Sequence, residues 1–497
     1  MRIYYQGKDI IHGKIFMSFT IDSHFVLHSD NYNHYNKMPT KTNPEPDDKH
    51  KREKAKKIAI IEGSFSSVMD GFGQRYITPY ALALGASNFV IGLLSSLPQL
   101  LGNLSQLPVI KLMKNKKRKN IIMASVFTQA FLWLPIILVG FFYFYLKISS
   151  ALAASLLIIF YTLMIIAGAT AGPVWNSLMK DIVKENQGEY FGKRSRITGF
   201  IGILSMIIAG VILNYFGKDN FLGFFIILLI ACIGRFCSGY MFTRQYEPEF
   251  KYDEGYYFSP IEFIKKMSSN NFGRFVILVS GISFATAIAA PFFAVYMLRD
   301  LNFSYIDFTL VTLSAPLATL LFVPVWGKFA DKFGNLKVLK ITGYLIPLIP
   351  VYWLGTLLII PFNSKILLVT YLFICEIISG FAWSGFNLCS VNFIYDAVTR
   401  QRMALCATYY NILNAFGTLF GGLLGGILAS QSQIFGIKSI LFVILLSGIL
   451  RLLMFVITIK GVKEVRTVQD FDVNHHLRKR IKHYLGIETQ EIIEVKD

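Results

Sequence analysis

Apolar residues run through most of this chain in stretches of roughly 20, separated by short polar stretches. At 1.5 Å of rise per residue, a helix of that length crosses the roughly 30 Å hydrocarbon core of a bilayer. The pattern therefore predicts an all-α membrane protein with twelve transmembrane spans. We place spans 1 to 6 near 57–83, 87–110, 120–145, 151–179, 196–216 and 221–243, and spans 7 to 12 near 273–298, 306–329, 337–360, 366–396, 403–428 and 438–460.

The loops between these spans sort by charge. Loops after the even-numbered spans carry most of the basic residues, such as those of 114–119 after span 2 and those of 193–196 after span 4. Loops after the odd-numbered spans carry about one basic residue each. Because cytoplasmic loops of membrane proteins are rich in Lys and Arg, we predict that both termini are cytoplasmic, which agrees with an even number of spans.

Composition supports this interpretation. Of the 497 residues, 54% are apolar and 16% are charged, whereas soluble domains carry about 25% charged residues. The net charge of +19 would suggest nucleic-acid binding in a soluble protein, but its confinement to alternate loops argues against it. The five cysteines all lie in apolar segments without metal-site spacing, so we expect no metal and no cofactor.

The predicted spans divide the chain into five parts. We expect a cytoplasmic tail at 1–56, a six-helix bundle at 57–243, a cytoplasmic linker at 244–272, a second six-helix bundle at 273–460 and a basic tail at 461–497. Pro-rich, charged sequence follows Met38, which leads us to the hypothesis that translation starts there. In the linker, the capping pattern Ser259-Pro-Ile-Glu262 predicts a short amphipathic helix on the membrane surface.

The two bundles resemble each other in sequence. The interval from Gly63 to Gly281 recurs between Pro98 and Pro316 and between the turn residues Ala86 and Ser304. The pairs Asp181–Asp396 and Arg235–Arg451 are separated by nearly the same interval. Repeated six-helix units of the same orientation are typical of transporters whose solute path lies between the halves.

A motif joins spans 8 and 9. The stretch from Gly327 to Lys337, which contains Asp331, Lys332 and Gly334, resembles the signature of the major facilitator superfamily, although Leu336 replaces one expected basic residue. The resemblance implies the fold of that family, with two six-helix bundles related by a pseudo-twofold axis. It also implies that Asp331 forms a conformational latch with the start of span 5, near Arg194. The first half lacks the motif, because Met113 stands opposite Asp331.

Polar residues at helical spacing mark the solute or proton pathway that we expect. The candidates in spans 1, 4 and 10 are Asp70, Gln74, Asn176, Glu376, Trp383 and Asn387. Asp70 and Glu376 lie about 15–20 Å deep, near the midplane, where a lone ionised acid is costly. Each acid therefore takes part in proton coupling or solute contact, or it belongs to a fixed ion pair, for example Asp70 with Arg75 or Arg235.

The leading functional hypothesis is secondary active transport of a small organic solute by alternating access, coupled to an ion gradient and most simply to protons. We expect a monomer in the cell membrane, and no enzyme activity. The alternatives are a receptor or sensor built on a transporter fold, and a lipid flippase. A solute cavity between the halves favours transport, whereas a collapsed one favours the receptor.

Overall fold

The computed structural model describes residues 46–218, 220–249, 259–399 and 402–469. The hypothesis of a start at Met38 and most of the basic C-terminal tail lie outside the described residues.

The first half consists of six helical spans. Span 1 comprises α1 (Pro46–Phe72), a 3-10 turn (Gln74–Tyr76) and α2 (Ile77–Ala83). Spans 2 to 6 are α3 (Asn88–Asn115), α4 (Arg118–Leu146), α5 (Ser150–Ile182), α6 (Gln187–Phe216) and α7 (Phe221–Thr243).

The second half repeats this order after the linker helix α8 (Pro260–Lys266). Span 7 comprises α9 (Asn271–Ala287), α10 (Ala290–Val295) and a π-helical turn (Tyr296–Asp300), and span 8 is α11 (Tyr305–Phe333). Span 9 comprises α12 (Asn335–Leu345), α13 (Leu348–Leu354), α14 (Thr356–Ile359) and a 3-10 turn (Ile360–Phe362). Spans 10 to 12 are α15 (Lys365–Ala397), α16 (Met403–Ala429) and α17 (Ser439–Ile459), and a hairpin of β1 (Gln433–Ile434) and β2 (Ile437–Lys438) precedes the last.

Ten of the twelve spans are long and apolar enough to cross a membrane, counted over the described part of the chain. Spans 1 and 2 are also helical at the predicted positions, but they are more polar. Span 1 begins with the charged stretch 46–57, and span 2 carries several Ser, Asn and Gln residues. Large apolar side chains such as Phe131, Leu321 and Leu358 are exposed on the outer faces of the spans, as expected of a protein solvated by lipid.

The internal repeat extends to individual hydrogen bonds. A carboxylate oxygen of Glu247, just after span 6, accepts from the N–H of Arg118 at the start of span 3 (2.7 Å). Glu464, just after span 12, accepts from the N–H of Leu336 at the start of span 9 (2.8 Å). The two donors are separated by the interval of the repeat and the two acceptors by nearly the same interval, so each half fixes its third span with the segment that follows its sixth. Carboxylates at helix N-termini are favoured by the helix dipole.

The repeat also explains the breaks in spans 1 and 7. Span 1 loses α-helical geometry at Gly73, and span 7 loses it between Ala287 and Ala290. Pro291, at the start of α10, is the repeat equivalent of Gly73, because the interval between them equals that between Gly63 and Gly281. Interrupted helices at equivalent positions of two repeats are the arrangement in which transporters place solute sites.

We refer below to the end of the bundle that carries α8 and the loops after even-numbered spans as the linker side. The opposite end is the far side.

Candidate functional site

The two halves meet closely on the far side, where span 2 crosses span 11. Gly92 packs directly against the backbone of Gly422, and a Cβ at Gly92 would lie 3.1 Å from the Cα of Gly426. One turn further out, the side-chain amide of Asn88 donates to the carbonyl of Ala429 (2.6 Å). Small residues permit this backbone contact.

A second crossing on the far side joins span 5 to span 8. Gly210 packs directly against Thr309. The Thr309 hydroxyl is also within 2.8 Å of the Tyr76 hydroxyl, which donates to the carbonyl of Met206 at 2.7 Å. Spans 1 and 5 of the first half therefore both contact span 8 of the second half.

Two cations add further hydrogen bonds between the halves. We call the whole set of contacts, namely the two crossings and the bonds of these two cations, the far-side gate. The Lys218 ammonium, from the first half, donates to the carbonyl of Leu298 (3.2 Å) and to Asn302 (2.8 Å). In the opposite direction, the Arg299 guanidinium donates to the carbonyl of Ala86 (2.6 Å) and to Asn88 (3.1 Å). Each half thus supplies one cation that is hydrogen-bonded to the other half.

Spans 5 and 8 separate toward the linker side. Eleven residues before Gly210, about 16 Å along the helix, a Cβ at Gly199 would meet its first atom, on Leu320, only at 4.0 Å. In span 4, Gly172 is exposed and no heavy atom lies within 4 Å of the position of a Cβ. Spans 5 and 8 therefore pack tightly at Gly210 on the far side and more loosely at Gly199 toward the linker side.

We predict that Gly92→Val weakens the far-side gate. The added methyl groups would meet the backbone of span 11, which cannot move aside as a flexible side chain can. Overpacking of this kind costs about 1–3 kcal/mol. Thermal unfolding of the protein in detergent should show a lower midpoint.

Gly172→Val is the matched control, because its side chain enters open space. We expect its free energy of unfolding to fall by less than about 1 kcal/mol, which is the range of intrinsic helix propensities. Equal midpoints for the two variants would contradict the close crossing at Gly92.

Asp70 and Arg75 meet at the break in span 1. The guanidinium Nε of Arg75 lies 3.5 Å from a carboxylate oxygen of Asp70, and the two side chains are 53% and 45% exposed. On a continuous helix they would point about 140° apart. The break at Gly73 turns Arg75 back toward Asp70, so one cation and one anion stand together at mid-depth. Asp70 is also within electrostatic range of Tyr161 in span 4.

The other pathway candidates are spread over both halves. Asn176 and Asn387 are exposed, on span 4 and span 10 respectively, and Trp383 is partly buried against Phe386, with the ring centroids 5.7 Å apart. The Gln74 amide lies 3.6 Å from the sulfur of Met69, in the same 3-10 turn as Arg75.

Glu376 lies in a less open environment than Asp70. The indole N–H of Trp353 in span 9 donates to its carboxylate (3.0 Å), and that indole packs on Phe293 of span 7, with the ring centroids 4.5 Å apart. Arg451 of span 12 is within electrostatic range. Glu376 is therefore fixed within the second half, whereas Asp70 is about half exposed.

The latch residues are not in contact with each other in this conformation. The Asp331 side chain is 78% exposed, and its nearest cation is Arg466 (4.0 Å), which follows span 12 and also pairs with Asp396 (3.1 Å). Lys332 lies over the Phe333 ring, 5.1 Å from its centroid.

The glycines of the motif have different surroundings. Gly334 ends span 8 with a φ of +90°, a conformation that side chains rarely adopt. Gly327 is loosely surrounded, and a Cβ there would first meet Leu388 at 3.9 Å.

Arg194 instead contacts span 1 of its own half. Its guanidinium donates to the carbonyl of Ala59 (3.2 Å), lies 3.5 Å from a carboxylate oxygen of Glu62, and stacks 4.5 Å from the centroid of the Trp175 ring.

Sequence reasoning missed Glu62, which is the acidic centre of a buried network. Its side chain is 6% exposed and accepts from the Ser238 hydroxyl (3.0 Å), which in turn accepts from Arg235 (3.2 Å). Arg235 also donates to Gln129 (2.6 Å) and to Ser66 (2.9 Å). Polar groups inside a span usually pair with one another, and Glu62 in span 1 was a candidate partner for Arg235 that the sequence offered besides Asp70. Of the two fixed pairs considered for Asp70, the structure shows the one with Arg75 and not the one with Arg235.

The sequence matches the model of the major facilitator superfamily over residues 63–272 and again over 275–486. The chain belongs to the major facilitator superfamily. The two matched segments correspond to the two halves of the fold, which confirms the resemblance seen at the span 8–9 motif. No curated protein sequence matches the chain.

Solved transporters of this superfamily share the fold at low identity. A mutant form of the nucleoside transporter NupG is 14% identical, with a TM-score of 0.62, and the match covers 82% of this chain and all of that one. A bacterial homologue of the lysosomal transporter Spinster, inward-facing and occupied, is 15% identical with a TM-score of 0.59, covering 83% and 96%.

A bacterial homologue of the iron transporter ferroportin, solved in two states, also shares the fold. The inward-facing state matches with a TM-score of 0.58, at 13% identity and with 83% and 98% of the chains covered. The outward-facing state matches with a TM-score of 0.51.

Proposed function

We propose that this protein carries a small organic solute across the cell membrane by alternating access, coupled to protons. The observation that carries the proposal is the half-exposed Asp70–Arg75 pair at the break in span 1. We infer a cavity around it that opens on the linker side, because the halves meet closely on the far side and pack more loosely toward the linker side. A cavity that is open at one end only, with charged groups at mid-depth, is what a carrier needs in order to expose its site to one compartment at a time.

The orientation that we propose follows from the loop charges. The basic loops lie on the linker side, so the positive-inside rule places that side and both termini in the cytoplasm. In that orientation the cavity faces inward and the far-side gate closes the outer end. We expect the latch to form when the halves exchange their contacts, so that Asp331 meets the start of span 5 as the linker side closes.

Asp70 is the residue that we propose for coupling. It is half exposed and lies 3.5 Å from Arg75. An acid inside a membrane domain is a candidate for a proton relay, and we propose that Asp70 exchanges a proton with water that enters from the linker side. Gln74, Asn176, Trp383 and Asn387 supply polar and aromatic surface for the solute. Glu376, held by Trp353, is the second candidate for the proton.

The solved transporters do not select a solute. Their titles name a nucleoside transporter, a homologue of an iron transporter and a homologue of a lysosomal transporter, which differ in chemistry. The test therefore begins with a screen. The purified monomer is screened for solutes that raise its unfolding midpoint, and each hit is tested for uptake into proteoliposomes while luminal pH is recorded.

Uptake that changes luminal pH supports the proposal. Uptake without a pH change would mean that the protein is a uniporter and is not coupled to protons. A bound solute that is never moved would overturn transport in favour of the receptor or sensor, and movement of fluorescent phospholipid between leaflets, without solute uptake, would favour the flippase.

A further inference from the structure

A second cavity, of about 690 Å3, lies on the far side of the protein. Its walls come from the outer ends of spans 1, 3 and 4 in the first half and from the turn between spans 7 and 8 in the second. Its span 1 wall begins at Pro79, beyond Tyr76, whereas Asp70 and Arg75 lie on the other side of Tyr76. The far-side cavity is thus distinct from the one proposed for the solute. Its size is ordinary for a small-molecule site, which typically has about 300–1,000 Å3.

Three cations line the far-side cavity, namely Lys147, Lys218 and Arg299. No acid is among the described residues that line it. Asp300, which follows Arg299, pairs outside the lining with Lys438 at 3.7 Å. Lys218 belongs to the first half and Arg299 to the second, and both are held in place by hydrogen bonds across the far-side gate. Arg299 is also within electrostatic range of Asp300, so the three cations are partly offset by one acid outside the lining. Like charges between low-dielectric walls concentrate anions.

The surroundings of the cations add donors suited to an anion. Ser149 and Ser150 line the cavity where span 4 begins, and Ser149 is the N-cap of that 33-residue helix. The Ser149 side chain accepts from the N–H of Leu152, and the positive end of the helix dipole points toward this end. Lys147 ends span 3 with a φ of 56°, in the left-handed region that usually takes Gly or Asn.

We propose that the far-side cavity binds a small anion that carries a phosphate or carboxylate group. This site goes beyond the transport function and does not depend on the identity of the solute. Two sources share this chemistry: a free anion from the outer medium, such as inorganic phosphate, and the headgroup of an anionic lipid. Because the cations come from both halves, the anion would contact both and favour the conformation in which the far side is closed.

The test uses the full-length protein in phosphatidylcholine nanodiscs. Inorganic phosphate is titrated by calorimetry at constant ionic strength. We expect saturable binding, with a Kd at least tenfold higher in Lys147→Gln and in Arg299→Gln. Lys365→Gln is the matched control, because Lys365 is a far-side cation that pairs with Asp307 and does not line the cavity. Its Kd should stay within twofold of the wild type.

Repeating the titration in nanodiscs that contain phosphatidylglycerol distinguishes the two sources. Phosphate binding that disappears there assigns the site to the lipid headgroup, and unchanged binding assigns it to a free anion. Absence of saturable phosphate binding in phosphatidylcholine would overturn the proposal. An equal loss in Lys365→Gln would overturn it as well, because it would reduce the effect to general surface charge. Arg299→Gln also removes hydrogen bonds of the far-side gate, so its effect could arise from a disturbed gate. Lys147 is not part of the gate as described above, so Lys147→Gln tests the cavity separately.

Discussion

Asp70→Asn is expected to lower the rate of solute uptake against a concentration gradient at least 100-fold. This change corresponds to an activation free energy of transport that is higher by about 2.7 kcal/mol. Asn has nearly the shape of Asp but can neither take up the coupling proton nor neutralise Arg75. The ion pair at 3.5 Å would be replaced by an unpaired guanidinium near the membrane midplane, which is costly. The measurement is uptake into proteoliposomes against a solute gradient, with an imposed pH difference.

Solute exchange at equal concentrations separates the two roles of Asp70. If Asp70 carries the proton, the Asn variant keeps exchange while it loses accumulation. If Asp70 holds the solute, both are lost. Glu262→Gln is the control, because Glu262 is a half-exposed acid on the linker helix, paired with Lys266 at 3.0 Å. Accumulation by Asp70→Asn at the wild-type rate would show that the pair is structural.

Glu62→Ala is expected to lower the free energy of unfolding by about 3–5 kcal/mol, because it leaves Arg235 buried without its acid. The network joins span 1 to spans 3, 5 and 6, so its loss loosens the packing of the whole first half. The measurement is reversible unfolding in mixed micelles.

A double-mutant cycle isolates the interaction between Glu62 and Arg235. Arg235→Met alone should also destabilise the protein, but the double variant should cost less than the sum of the two single variants. Glu53→Ala serves as the control on the same helix, since Glu53 is 57% exposed. Additive effects of Glu62→Ala and Arg235→Met would show that the two side chains are not coupled.

The architecture could be predicted because its signals are local. Span lengths follow from hydropathy, and the repeat follows from Gly, Pro and charged residues at a nearly constant offset. The turn pair Ala86 and Ser304 was off by one position, because Ser87 and Ser304 are the residues that cap the second span of each half. Each accepts from a backbone N–H of the first turn.

The geometry at mid-depth could not be predicted in the same way. The wide angle expected between Asp70 and Arg75 assumes a continuous helix, and Gly71 and Gly73 were the only signs of a break. The partner of Arg235 depends on how deeply each helix is inserted, which hydropathy gives only to within a few residues. Glu62 lies near the predicted start of span 1, where hydropathy does not show whether a side chain is buried.

The contact implied for Asp331 differs from the contact in the structure. The superfamily resemblance suggests the start of span 5 as its partner, whereas in the structure Asp331 lies 4.0 Å from Arg466, in the segment after span 12. A sequence motif identifies the residues of such a contact without stating when it forms.

The most direct test of alternating access is a pair of distance measurements by pulsed electron paramagnetic resonance. On a background without the five native cysteines, one spin-label pair replaces Lys193 and Lys332 on the linker side, and another replaces Tyr215 and Ile366 on the far side. All four positions are exposed, and each pair joins the two halves. With solute and at changed pH, we predict that the linker-side distance shortens while the far-side distance lengthens. If both distances stay fixed under every condition that binds solute, the protein does not alternate access, and the carrier mechanism is contradicted.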